Sequence, residues 1–184
     1  MKLQTILLNL GAACSLAFVA GDALAALAVG AMAPDFTTEA ALGGKEFKFS
    51  LAQALSKGPV VLYFYPKAFT TGCTIEAHDF AEATPKFNAL GATVVGVSND
   101  SIDTLKKFSV EACRDQFAVA ADSGARIMKQ YDAAFLLKPD MADRISYVIG
   151  PNGKLLYVYS SLSPDQHVAN TLKAVQQWRA ALPR

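Results

Sequence analysis

Cys73 is where the residue types and spacing of this chain point to chemistry. It lies in the run Tyr63-Phe64-Tyr65-Pro66-Lys67-Ala68-Phe69-Thr70-Thr71-Gly72-Cys73-Thr74-Ile75-Glu76. The apolar, β-branched and aromatic stretch Pro59 to Tyr65 reads as a strand buried on both faces. Cys73 to about Leu90 reads as a helix. Cys73 therefore falls in a first helical turn, where unpaired N–H groups and the positive end of the helix dipole favour a thiolate. The thiolate is the nucleophilic form of cysteine, so nucleophilic sulfur chemistry is the expectation. A buried structural cysteine is the competing reading, and position alone does not separate the two.

The rest of the composition narrows the choice. The chain holds three cysteines and two histidines in 184 residues, too few for most metal clusters. His78 and His167 read as surface residues rather than metal ligands, and Trp178 as a packing residue. The 17 Lys+Arg balance 16 Asp+Glu, which argues against a nucleic-acid surface and against an acidic disordered tail. Nothing supports a Gly-rich phosphate loop or a general acid/base hydrolase. A chain of this length is expected to form one domain, burying about 70% of its unfolded surface without disulfide staples.

The elements that must position Cys73 follow from pattern. Gly30 to Gly44 reads as a loop-like lead-in, and Glu46 to Ser50 as a short strand whose Ser50 caps a helix over Leu51 to Lys57. Pro66 to Gly72 is a loop. Within the helix that follows, Ile75, Phe80, Ala81 and Phe87 are candidate inward residues, and Pro85 should kink or break it. Ala92 to Val97 is a second apolar strand. Ser101 to about Gln116 is a helix with Leu105, Phe108 and Ala112 on one stripe. A short strand, Phe117 to Ala120, precedes a helical Ser123 to Tyr131. Ile145 to Ile149 and Leu155 to Tyr159 form a hairpin around Asn152-Gly153. Ser163, Pro164 and Gln166 spell a capping box that opens the last helix. Alternating strands and helices with an antiparallel edge predict an α/β, thioredoxin-like fold: a mixed central sheet with helices on both faces.

Residues 1–25 read as an export signal. Lys2 is followed by an uncharged, mostly apolar run to Gly21, then by the small-x-small triplets Ala23-Leu24-Ala25 and Ala26-Leu27-Ala28. Cleavage is expected after Ala25 or Ala28, which leaves one domain over 29–184. An uncleaved anchor and a lipoprotein signal ending at Cys14 are the competing readings. Export places the mature chain in the bacterial periplasm and removes Cys14. Cys73 and Cys113 then remain as an even pair in an oxidising compartment.

Pro66, Thr70 and Cys73 form Pro-x-x-x-Thr-x-x-Cys, and with it the chain resembles the peroxiredoxins of the AhpC/TSA superfamily. The Tyr-Phe-Tyr-Pro-Lys lead-in and the Gly-Cys-Thr-x-Glu continuation are most similar to the peroxiredoxin Q, or bacterioferritin-comigratory, branch. The resemblance covers residues 29–182, including Ala33-Pro34-Asp35-Phe36 and Arg144 to Lys154. It implies a thiol-dependent peroxidase for hydrogen peroxide and alkyl hydroperoxides, with no cofactor, recycled by a thioredoxin-like reductant and monomeric. It makes Cys73 the peroxidatic cysteine that becomes a sulfenic acid. Thr70 matches the hydroxyl that hydrogen-bonds thiolate and peroxide, Pro66 the residue that shapes and shields the pocket, and Arg144 the guanidinium that stabilises the thiolate and the charge developing on the peroxide. Glu76 matches a position beside that Arg; an ordinary exposed helix Glu is its competing reading. One branch type places the resolving cysteine five residues after the peroxidatic one, where this chain has His78. The other places it in the following long helix, which implies Cys113 and a Cys73–Cys113 disulfide; a static disulfide or a free buried Cys113 stays open. Phe69 reads either as a contact for apolar parts of the substrate or as loop packing.

Two other functions fit such a fold. A thiol-disulfide oxidoreductase normally needs Cys-x-x-Cys at this junction, and Thr70 stands where its first cysteine would be. A copper chaperone or non-catalytic binding module would consume no peroxide.

Overall fold

The computed structural model describes residues 26–183, so Cys14 and the export-signal reading up to Ala25 lie outside the described residues. In chain order the elements are β1 (Thr37–Leu42), β2 (Lys45–Ser50), α1 (Leu51–Leu55), β3 (Val60–Phe64), α2 (Thr71–Ala89), β4 (Thr93–Ser98), α3 (Ile102–Glu111), β5 (Ala118–Ala121), α4 (Arg126–Gln130), β6 (Ala134–Phe135), β7 (Lys138–Ala142), β8 (Ile145–Ile149), β9 (Leu155–Ser160) and α5 (His167–Ala180). Seven strands form one sheet in the order β2-β1-β5-β4-β3-β8-β9. β3, β4 and β5 run parallel, as the helical crossovers predict. The β8–β9 hairpin adds antiparallel strands next to β3. This is the expected mixed sheet.

β3 is buried along its whole length, and its alternation divides the core in two. Leu62 and Phe64 face one layer with Phe36, Tyr131 and Tyr147. Val61, Tyr63 and Tyr65 face the other, which also holds Cys73, Phe80, Phe108 and Cys113. In that second layer the rings of Phe69, Phe108, Tyr65, Tyr63 and Phe80 run as a ladder, with successive centroids 5.2, 5.6, 5.5 and 4.4 Å apart. Each such pair contributes about 0.5–1.5 kcal/mol beyond its area burial. The ladder ties α3, β3 and α2 together directly beneath the loop that leads to Cys73. Gly96 makes room for it: a Cβ there would lie 2.7 Å from the Tyr63 ring.

The structure corrects several expectations. The predicted loop before Gly44 contains β1, whose Ala40 and Ala41 are fully buried and pair with Ala120 and Val119. Alanine has weak β propensity, so nothing local marked the strand. Gly43 and Gly44, both at positive φ, turn it into β2. A second hairpin, β6–β7, was not anticipated. α2 continues through Pro85 to Ala89, with Pro85 on its exposed side. Ile75 is 44% exposed rather than inward. α3 stops at Glu111, because Arg114 and Asp115 both take left-handed backbone, and Cys113 lies in the turn beyond the helix rather than within it. α5 begins at His167: the Ser163 hydroxyl bonds Asp165, so the capping box does not form. The Ser50 and Ser101 caps are present as read, accepting from the N–H groups of Gln53 and Thr104.

Candidate active site

The loop from β3 to α2 is held by a few directed bonds. The Tyr65 N–H reaches the Val97 carbonyl, extending the parallel pairing by one residue. Asp100 Oδ2 accepts from the Ala68 N–H at 2.7 Å and from the Ser98 hydroxyl at 2.8 Å. Phe69 takes left-handed backbone (φ 63°), unusual for an aromatic residue, while its ring packs edge-on against Phe108. Thr70 is thereby delivered to the N-cap in extended conformation. Its hydroxyl donates to the Lys67 carbonyl at 2.9 Å and makes no cap bond, leaving its lone pairs uncommitted. The helical ladder opens with the Thr74 N–H to the Thr70 carbonyl, so the Thr71, Gly72 and Cys73 N–H groups form the orphan first turn. Cys73 is 2% exposed at this positive helix end.

Arg144 reaches the same point from the start of β8. Its Nε donates to the Leu162 carbonyl at 2.9 Å, its Nη1 pairs with Glu76 Oε2, and its Nη2 lies 3.5 Å from Cys73 Sγ. One rigid fork thus joins a backbone carbonyl, a carboxyl and the sulfur. Burial works to lower the Arg144 pKa, but Glu76 and Cys73 outweigh it and raise it, so the guanidinium stays charged. Burial pushes Glu76 up to about 8, against the opposing pull of Arg144.

Behind Glu76 stands His167, buried at 0% exposure, which corrects the expectation of a surface histidine. Its Nδ1 lies 2.8 Å from the Ser146 hydroxyl and 3.6 Å from Glu76 Oε1, and its Nε2 lies 2.9 Å from the Ser161 carbonyl. Sequence reasoning missed it, although the signal was present. His167, Thr171, Ala174, Val175 and Trp178 recur at helical spacing; the first four are buried and Trp178 is half-buried. Ser146 and Asp100 were missed as well; each is a lone polar residue in or after an apolar strand, with no local pattern to mark it.

Cys73, Glu76 and Arg144 therefore meet, with Thr70 at the head of the same helix and half-buried Pro66 in the loop. Glu76 is not the exposed helix residue of the competing reading. Cys113 is fully buried in the same core layer, and both thiols are free. Burial raises the Cys113 pKa far above that of an ordinary thiol, with Asp115 adding to it.

A thioredoxin-like sheet carrying a single thiol, rather than a Cys-x-x-Cys pair, on the first turn after β3 defines a class of thiol-reactive proteins. The chain belongs to the AhpC/TSA family, which it matches over residues 29–158. It is 34% identical over 151 residues to the chloroplastic peroxiredoxin Q of Oryza sativa subsp. japonica, covering 80% of this chain and 66% of that one. With the chloroplastic peroxiredoxin Q of Suaeda salsa it shares 32% over 154 residues, 83% of this chain and 70% of that one. Among solved structures, peroxidoxin BcpB from Mycobacterium tuberculosis matches with a TM-score of 0.73 at 32% identity, over 81% of this chain and 96% of that one. The chain spans about two thirds of the length of the plant relatives it matches.

Proposed function

We propose that the protein is a thiol-dependent peroxidase that reduces hydrogen peroxide and alkyl hydroperoxides at Cys73. One observation carries this: Arg144 Nη2 at 3.5 Å from a buried Cys73 Sγ at a helix N-terminus. A fixed positive fork beside a nucleophilic sulfur also meets the negative charge that develops on the peroxide. The Cys73 thiolate attacks the terminal peroxide oxygen, the O–O bond breaks, and the alkoxide or hydroxide leaves to take a proton from water. Sulfur is oxidised to the sulfenic acid and the peroxide is reduced by two electrons. The lone pairs of Thr70 receive the peroxide's O–H. In the resolving step the Cys113 thiol attacks the sulfenic sulfur, forming the Cys73–Cys113 disulfide and releasing water. A dithiol of thioredoxin type returns both cysteines to thiols by exchange through a mixed disulfide. The reading is tested by peroxide consumption: Cys73→Ser abolishes it, and wild-type turnover in that variant overturns it.

Export to the periplasm belongs to the same reading. Ala26 and Leu27 pack against the core layer of Phe64 and Tyr147. Cleavage after Ala25 leaves these contacts in place, whereas cleavage after Ala28 removes them. Mass spectrometry of the exported protein is expected to give Ala26 as its first residue.

A further inference from the structure

Among the described residues, Glu76 Oε1 is a buried carboxyl oxygen with no hydrogen-bond partner. Such an atom costs about 1–3 kcal/mol if left unmet, and His167 Nδ1 lies 3.6 Å from it. The tautomer of His167 is fixed by what it faces. A carbonyl oxygen only accepts, so Nε2, 2.9 Å from the Ser161 carbonyl, carries the hydrogen. Nδ1 of the neutral ring then accepts from the Ser146 hydroxyl at 2.8 Å, and the same lone pair also faces Glu76 Oε1 at 3.6 Å. A lone pair facing an ionised carboxylate is repulsive, and a proton on Oε1 makes the contact attractive. At 3.6 Å the contact is electrostatic, and a shift of about 0.5 Å in the soft terminal torsion of Glu76 closes it to a hydrogen bond.

We propose that His167 is a positioning residue for the Cys73 chemistry: its Nδ1, a shared acceptor for the Ser146 hydroxyl and for a proton held on Glu76 Oε1, makes an uncharged contact that keeps Glu76 against Arg144 without neutralising the charge that Arg144 turns toward Cys73. The proposal rests on Cys73 being the thiol that attacks peroxide. The charged and titratable groups around the pair are Asp79 and Cys73 from α2, Tyr63 from β3, Asp143 and Arg144 from the segment before β8, and Tyr159 from β9, whose ring packs edge-on to His167 at 4.8 Å. Of these, Arg144 sits closest, and it favours a neutral His167. Burial drives both partners the same way, holding His167 down to about 4 and Glu76 up to about 8. Between about pH 4 and 8 the pair is therefore uncharged, and Arg144 keeps its full charge for the thiolate. Above that range, the Glu76 carboxylate takes a share of the charge.

The readout is the pH dependence of the second-order rate with hydrogen peroxide, by stopped flow. Wild type is expected to show a falling limb near pH 8. His167→Leu removes the acceptor at similar volume, the protonated form of Glu76 loses its partner, and the limb moves to lower pH by at least about half a unit. His167→Met also lacks the Nδ1 acceptor and its flexible side chain fills the buried site, so it should show the same shift if the leucine variant folds poorly. A limb that stays in place in both variants, or moves to higher pH, overturns the proposal. Nitrogen-15 NMR of wild-type His167 is expected to show the neutral Nε2–H tautomer at pH 7, and an imidazolium there overturns it too. That measurement uses no peroxide, so its failure is distinct from failure of the Cys73 reading.

Discussion

A Cβ on Gly72 would stand 3.1 Å from Nη2 of Arg144, the nitrogen that faces Cys73 Sγ. The guanidinium thus lies against the bare Cα of the residue preceding the reactive cysteine. Gly72 is the second residue of α2 and has no positive φ, so alanine fits its backbone and raises helix propensity by up to about 1 kcal/mol. Gly72→Ala is therefore expected to separate stability from reactivity. Its melting temperature holds or rises, while its rate with hydrogen peroxide falls about tenfold as Arg144 is pushed off the sulfur. A variant as fast as wild type would show that the close seat of Arg144 is not needed.

The fork geometry makes a second prediction. Arg144 uses three nitrogens on three different partners: Leu162, Glu76 and Cys73. A lysine ammonium is a compact point charge and cannot span all three. Arg144→Lys is expected to slow peroxide reduction by about 10²-fold, the usual loss when one preorganised donor to a developing anion is removed. Stopped-flow rates at saturating reductant check this; a loss under threefold would mean that net charge alone suffices.

The Glu76–His167 pair also leaves a mark on stability. Glu76 titrates near 8 in the folded protein against an ordinary 4.5. The stability it contributes is thus full below 4.5 and lost as pH rises to 8. His167 titrates near 4 against an ordinary 6.5, so its contribution is full above 6.5 and lost as pH falls to 4. Between 4.5 and 6.5 the two slopes oppose and largely cancel. Stability is expected to be level there and to drop by about 2 kcal/mol between pH 6.5 and 8. Glu76→Gln should abolish that drop and uncover the loss on the acid side. Denaturant titrations of both proteins across this range decide it, and identical profiles would rule the pair out as the cause.

What the sequence disclosed followed the strength of its local signals. The β3 run, the Asn152-Gly153 hairpin and the strand–helix junction at Cys73 depend on neighbours in the chain, and pattern is enough to find them. The approach of Arg144 to Cys73 spans 71 residues, and no periodicity encodes it; only the family resemblance pointed there. β1 was hidden because its two buried residues, one on each face, are alanines. His167 was misplaced because Ser163-Pro164-Asp165-Gln166 imitates a helix start, and a buried charge-capable side chain is a poor bet without knowing its partners, Ser146 and Glu76.

Cys113 gives the last prediction, because its thiol is fully buried and its pKa is raised by that burial. A thiol so placed is neither accessible nor ionised, so joining Cys73 requires the turn after α3 to open. That turn carries local strain: Arg114 and Asp115 sit in left-handed backbone, and the Arg114 side chain pairs with exposed Glu82. It is held by backbone bonds, from the Ala112 and Cys113 N–H groups to the Phe108 carbonyl, from Asp115 to Ser109 and from Gln116 to Cys113, and by the seat of Phe108 between Tyr65 and Phe69. One equivalent of peroxide is expected to yield an intramolecular Cys73–Cys113 disulfide, with faster amide exchange over 108–116 and the first turn of α2. Cys113→Ser should instead accumulate a Cys73 sulfenic acid that a dimedone probe captures. Phe108→Leu loosens the seat, so disulfide formation after peroxide should accelerate severalfold while global stability falls by about 1–2 kcal/mol. If Cys113→Ser forms no trappable sulfenic acid and turns over at the wild-type rate with a dithiol donor, Cys113 does not resolve Cys73.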